Sequence, residues 1–156
     1  MEIRKMSLED IDRIVEITRI AWGEVTMHKL VEDRHGVVGN KRWDERKMEE
    51  VESGCRNNPS NVIVAVEENK VVGYATFGID YNDKIGNIGN NAVDPAYRGR
   101  GIGTAMNKWI VDLFRKEGLK IAKVSTLVND ISAQKVYEKN GFKEISRSVH
   151  YTLDLK

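Results

Sequence analysis

The sequence predicts a single α/β domain over residues 1–156, a mixed sheet with helices on both faces. Three observations predict it. Strand-like and helix-like apolar patterns alternate along the chain in the order β-α-α-β-β-β-α-β-α-β-β. A length of 156 residues, 40% hydrophobic and 31% charged, is enough to bury one core. The stretch Val93-Asp94-Pro95-Ala96-Tyr97-Arg98-Gly99-Arg100-Gly101-Ile102-Gly103-Thr104 reads as a strand end, a tight turn, a glycine-rich loop and a helix start.

Glu2–Met6 is a short first strand. Ser7 followed by Asp10 suggests a capping box, although Glu or Gln is the usual partner at the later position. In the helix it opens, Ile11, Ile14, Val15, Thr18 and Trp22 share one face, and Gly23 marks the end. Residues 24–40 carry no readable period. A second helix is expected from about Arg42 to Arg56, with Met48, Val51 and Cys55 on one side. Asn57–Asn61 is a loop. Val62–Glu67 and Val71–Ile79 are strands joined by a turn at Glu68-Asn69. Lys84–Val93 is a central strand unusually rich in Gly and Asn, which marks a bulge or a close backbone approach. The helix from Gly101 to Glu117 has an apolar stripe of Ile102, Met106, Trp109, Ile110, Leu113 and Phe114, and Gly118 ends it. Ile121–Leu127 is a strand. Asn129-Asp130 caps a short helix that ends near Asn140-Gly141. Phe142–Arg147 and Val149–Leu155 are expected as two closing strands.

Composition narrows the function. A formal net charge of +1 gives no bulk attraction to nucleic acid or to a membrane surface. No apolar run approaches the roughly 20 residues that span a bilayer. The charged opening Met1-Glu2-Ile3-Arg4-Lys5 does not resemble a signal peptide. A lone Cys55 excludes an internal disulfide. The expectation is a cytoplasmic protein. His28, His35 and His150 lack metal-ligand spacing, so no metal is expected. The run Asp44–Glu50 reads as a solvated helix face.

The glycine loop carries the chemistry. Glycines let the backbone lie close to a ligand and point successive N–H groups one way, and the helix behind adds the positive end of its dipole. That combination cradles a diphosphate. Arg98 and Arg100 add charge there. A dinucleotide fingerprint fails because Thr104 stands where its third glycine belongs, and no Gly-Lys-Ser/Thr follows to make a P-loop. Arg98-Gly99-Arg100-Gly101-Ile102-Gly103 fits the Arg/Gln-x-x-Gly-x-Gly/Ala motif of the GNAT superfamily of acyl-CoA-dependent N-acyltransferases. Asp130-Ile131-Ser132-Ala133-Gln134-Lys135-Val136-Tyr137-Glu138-Lys139-Asn140-Gly141-Phe142 resembles that family's second motif, Asn-x-x-Ala-x-x-Leu/Val-Tyr-x-x-x-Gly-Phe. The order of elements matches from about Ile63 to Leu155.

The resemblance implies a mostly antiparallel sheet splayed between its central strands, with acetyl-CoA as cosubstrate. The backbone of Asn91, Ala92 and Val93 would pair with the pantetheine arm. The N–H groups of Gly99, Arg100, Gly101, Ile102, Gly103 and Thr104 would hold the diphosphate. Asn129, Asp130, Ala133 and Tyr137 would flank the coenzyme. A bulge near Gly89-Asn90-Asn91 would open the gap for the thioester, and an N–H near Ala92 or Val93 would polarise its carbonyl. A neutral amine, on a small molecule or a peptide, would attack directly, and the Tyr137 phenol would protonate the departing thiolate. The chain departs from the family pattern in two places. Asp130 replaces the motif's Asn. The strand positions where many relatives carry a glutamate base are Asn87 and Ser125. Base candidates elsewhere are Asp80, Glu24, His28 and His150. Trp22, Trp43, Tyr74 and Phe77 either line an acceptor pocket or belong to the core. A non-catalytic acyl-CoA sensor and another nucleotide-phosphate module are the alternatives, and a homodimer is left open.

Overall fold

The computed structural model describes residues 1–23 and 25–156. The expectation at Glu24 therefore lies outside the described residues. Among the described residues five strands form one sheet in the order β1 (Glu2–Lys5), β2 (Val62–Glu67), β3 (Lys70–Asp80), β4 (Ile85–Val93) and β5 (Ile121–Lys123). The first four are antiparallel and β5 runs parallel to β4. The β2–β3 turn places Glu68 and Asn69 at φ 49° and 61°, the left-handed pair that a two-residue hairpin needs.

Helices α1 (Ile11–Ala21) and α3 (Trp43–Asn57) cover one face, and α4 (Ile102–Lys116) covers the other. Under α1 and α3, Ile14, Ile17, Val51 and Cys55 meet Val62, Val64 and Tyr74. Under α4, Met106, Ile110 and Phe114 meet Ile63, Ala75, Phe77 and Ile88. At the entry to α1 the short Asp10 suffices as a capping partner. Its Oδ2 accepts from the Ser7 N–H at 2.8 Å, and Arg4 grips the same carboxylate at 2.7 and 3.0 Å. Arg13 anchors α1 to the sheet, donating to the Val71 carbonyl at 3.0 Å and pairing with buried Asp94 just past β4.

Several expectations need correction. Helix α2 (Met27–His35) occupies part of the stretch that carried no readable period. It buries no residue fully, so its sequence shows no apolar stripe. The buried face of α3 is Lys47, Val51 and Cys55, not Met48, Val51 and Cys55. Strand β5 pairs only over Ile121–Lys123 instead of running to Leu127, because β4 turns away from it at a bulge. The two closing strands are not formed, and the backbone from Lys143 onward is irregular and exposed. No Gly, Pro or Asn lies between Lys143 and Lys156 to turn one strand into the next. After β5 comes α5 (Ile131–Lys139), which packs against α4.

The bulge positions everything that follows. Ala75 pairs with Asn91 and Phe77 with Ile88, so Thr76 on β3 faces both Gly89 and Asn90 on β4. Before the bulge Gly86 and Ile88 face α4. After it Asn91 and Val93 take that side, while Asn90 turns toward α3.

Candidate functional site

Among the described residues, β4 has no strand partner on its β5 side beyond Asn87. The Asp94 N–H donates to Val72 O at 2.8 Å, so alternation sends the Ala92 N–H toward β3 and those of Asn91 and Val93 into the gap. Of the two N–H groups expected to polarise a carbonyl, only that of Val93 faces the opening; that of Ala92 does not.

The gap leads to the glycine loop. Gly99 and Gly101 both sit at φ 78°, and Gly101 is the N-cap of α4. A Cβ built on either would meet nothing within 4 Å, so the loop's outer face is open. Helix geometry leaves the N–H groups of Ile102, Gly103 and Thr104 without intrahelical acceptors. Gly103 lies between neighbours at ordinary contact distance, with a built Cβ 3.6 Å from Val136 and 3.9 Å from Val93. An open loop edged by unpaired helix-start amides suits a diphosphate. The arginines do not crowd it. Arg98 donates to the Ala21 carbonyl at the end of α1 at 2.9 Å, and Arg100 lies over the Tyr97 ring and pairs with Glu67 at 3.3 Å. Charge at the loop is thus already shared with the protein, and the main-chain amides at the helix start are the groups left facing the opening.

Helix α5 forms the other wall. Asp130 is its N-cap, accepting from the Ala133 N–H at 3.0 Å and from Thr126 Oγ1 at 3.2 Å. An aspartate therefore serves where the motif has Asn. Asn129 lies in the turn just before it. Asn140 donates to the Thr104 carbonyl at 3.2 Å and ties the end of α5 to the first turn of α4. Between these ties Tyr137 is 8% exposed, edge-on to Phe142. Its hydroxyl oxygen accepts from Asn91 Nδ2 at 3.3 Å. Burial pushes the phenol above its usual value, against the pull of Asn91, so it stays protonated at neutral pH. Since the oxygen accepts here, its own proton is left to give.

A second polar group stands across the sheet, and sequence reasoning missed it. Glu50 on α3 accepts from Asn90 Nδ2 at 2.9 Å and from Lys47 Nζ at 3.0 Å through Oε1. Its Oε2 meets His28 Nε2 at 2.6 Å. Burial raises the Glu50 carboxyl, but hydrogen bonds from Asn90, His28 and Lys47 outweigh it and hold the value at about 2. Lys47 is buried, lies 4.4 Å from the Trp22 ring and also donates to Asn90 Oδ1 at 2.8 Å. The signal was a lysine on the stripe Lys47, Val51, Cys55, at i, i+4 and i+8.

The remaining candidates disperse. Asp80 accepts from the Asn82 and Asp83 N–H groups in the β3–β4 turn. His150 lies in the exposed closing segment. Asn87 and Ser125 are exposed. Tyr74 is core, its hydroxyl held by Thr18 and Trp22 and pushed up to about 12 by burial. Phe77 is core, edge-on to Phe114. Trp43 is half-buried at the start of α3, where its N–H donates to Glu32. Among the described residues no cluster of metal ligands forms, and no helix is long and apolar enough to cross a membrane.

Comparison with known proteins agrees with this geometry. Residues 15–142 match the model of the acetyltransferase (GNAT) family. N-acetylaspartate synthetase of Xenopus tropicalis is 29% identical over 105 residues, covering 67% of this chain and 39% of that protein. The Homo sapiens N-acetylaspartate synthetase is 28% identical over 90 residues, covering 58% of this chain and 30% of that one. The chain thus spans well under half the length of these curated relatives. In structure, the PaiA N-acetyltransferase of Thermoplasma acidophilum in complex with coenzyme A superposes with a TM-score of 0.73 at 19% identity, covering 94% of this chain and 92% of that one. That likeness is one of fold. The family match runs from within α1 past the end of α5, so the loop, the gap and the buried phenol all lie inside it, and this chain belongs to the acetyltransferase (GNAT) family.

Proposed function

We propose that this chain is an N-acetyltransferase that moves the acetyl group of acetyl-CoA to a primary amine by direct attack in a ternary complex. The diphosphate rests on the amides from Gly99 to Thr104. The pantetheine arm pairs with the open edge of β4 through Asn91 and Val93, beside Asn129, Asp130 and Ala133. Acetyl-CoA brings the activated acyl group, and the chain supplies position and proton transfer. The Val93 N–H faces the carbonyl, and Tyr137 gives its proton to the leaving sulfur. The acceptor, a small molecule or a peptide end, enters from the side of α1, α2 and Asn90. Of the base candidates, His28 is the one whose imidazole a carboxylate orients. Its Nε2 is held by Glu50, which leaves Nδ1 to accept the amine's proton directly or through water.

One observation carries this reading. The bulge turns Asn91 toward α5 at the mouth of the gap, where its amide meets the Tyr137 hydroxyl. The test is release of free thiol from acetyl-CoA across a panel of small amines, amino acids, aminoglycosides and peptides. Turnover with some of them, lost in Tyr137→Phe and reduced in His28→Gln, is the expected result. Tight acetyl-CoA binding without turnover on any amine would replace the enzyme with an acyl-CoA sensor. Tighter binding of ATP or NAD than of coenzyme A would end the proposal.

A further inference from the structure

Asn107 on α4 is 0% exposed, and its carboxamide is only half used. Nδ2 donates to the Gly103 carbonyl one turn back at 2.9 Å. Oδ1 is buried and accepts from no group of the protein. Among the described residues the one other buried side-chain polar atom without a partner is Arg46 Nε. Geometry fixes which amide atom is which, since exchanging them would press oxygen against the Gly103 oxygen. A buried acceptor with no donor is costly, and its retention points to a ligand.

The side chain stands on the flank of α4 that borders the gap. Gly103, Asn107 and Val111 stack at i, i+4 and i+8. A Cβ on Gly103 would meet Val136 of α5 and Val93 of β4. Val111 borders a groove with Ala122, Val124 and Phe142. Asn107 lies between these two on the same row. Helix α4 runs back along β4, with Gly103 at Val93 and Phe114 at Gly86. Four helical residues, about 6 Å, and two strand residues, about 7 Å, bring Asn107 level with Asn91.

The protein supplies no donor at this level. Both hydrogens of Asn91 Nδ2 are taken, by the Gly89 carbonyl at 3.0 Å and the Tyr137 hydroxyl at 3.3 Å. The Tyr137 hydroxyl makes no bond to Asn107. The side chains of Val93, Val111 and Val136 carry no donor.

We infer that Asn107 Oδ1 is a coenzyme contact, accepting the N–H of one of the two secondary amides in the pantetheine arm. The inference rests on the acetyl-CoA reading above. An arm paired with the edge of β4 at Asn91 and Val93 passes the level at which Asn107 stands. Pairing with one strand edge serves only the amide groups that face that edge. An arm N–H turned away from β4 needs an acceptor of its own, and Asn107 is the acceptor without a donor. Asn107 is in this way a positioning residue, tying the arm to α4 as well as to the sheet.

The experiment is calorimetric titration of the unaltered chain and of Asn107→Leu with coenzyme A and two analogues. In each analogue one arm amide is an ester, with oxygen in place of the N–H. The leucine variant should bind coenzyme A about five- to tenfold more weakly, the worth of one net hydrogen bond. With one ester the two chains should bind alike, and with the other the gap should persist. The denaturation midpoint without coenzyme should not fall, because the Gly103 carbonyl keeps its helical donor, the Asn107 N–H. The smaller Asn107→Val guards against a leucine that fails to fit, and it should give the same readings. Equal affinity of the unaltered and altered chains for coenzyme A overturns the inference. So does a gap that persists with both esters. A midpoint lowered in both variants also overturns it, making Asn107 the holder of a buried structural water. An unaltered chain that binds no coenzyme A ends the acetyl-transfer reading itself, and this inference with it.

Discussion

The hydroxyl of Tyr137 accepts one hydrogen bond from Asn91 and is otherwise enclosed, so removing it costs a proton donor and little packing. Tyr137→Phe should lower kcat by about 10²-fold, the lower end of general-acid contributions, because a thiol is already a tolerable leaving group. Coenzyme affinity, read by calorimetry, should barely move; an unchanged kcat would reduce Tyr137 to a packing residue. Glu50 answers to pH. Its carboxyl falls from the ordinary 4.5 to about 2 in the folded chain, so the ionised form is favoured by folding. Its contribution is fully present above pH 4.5 and disappears as pH falls toward 2. Urea midpoints of the wild type and Glu50→Gln should therefore differ at pH 6 and converge as pH approaches 2. A gap that stayed constant over that range would mean that the charge of Glu50 adds nothing.

Helix α4 depends on two glycines that do different work. Gly86 on β4 lies directly beneath the Phe114 ring, where a methyl group would collide with ring atoms. Gly86→Ala should destabilise by about 1–3 kcal/mol, the usual cost of overpacking, as a lower denaturation midpoint. Gly101 has open space around it but a left-handed φ of 78°. A Cβ there meets nothing within 4 Å, so the cost begins in the backbone itself, about 1–2 kcal/mol or more for a β-branched residue. Gly101→Val should therefore abolish coenzyme A binding by reshaping the loop, and retained affinity would put the diphosphate elsewhere. The elements most legible in the sequence were those with one dry face. The stripes of α1 and α4 and the paired strands β2 and β3 announce themselves because burial selects their side chains. Helix α2 stayed hidden because it lies on the rim and buries nothing fully. The site was legible where the backbone is special, at Gly99, Gly101 and the Gly89–Asn91 bulge. It was opaque at Lys47 and Glu50, whose partners His28 and Asn90 are distant in sequence and meet them only through the tertiary fold.

As a whole the molecule is a sheet clasped between two apolar layers, and Cys55 reports on one of them. It is fully buried between α3 and α1, and burial pushes its thiol up to about 11. Modification by an aromatic disulfide reagent should therefore follow global unfolding, with the same denaturant midpoint as circular dichroism. Fast labelling in native buffer would show that α3 opens alone. The extra residue in β4 constrains how such a chain can vary. Past Gly89 every side chain stands where plain alternation would not put it. Loss of one codon there would pair the remaining residue with Thr76 and leave Asn91 and Val93 on their present face, but it would remove the bend at which β4 parts from β5. Length at this point is therefore fixed, whereas exchanges of single letters at Asn90 and Asn91 can retune the two sides of the sheet separately.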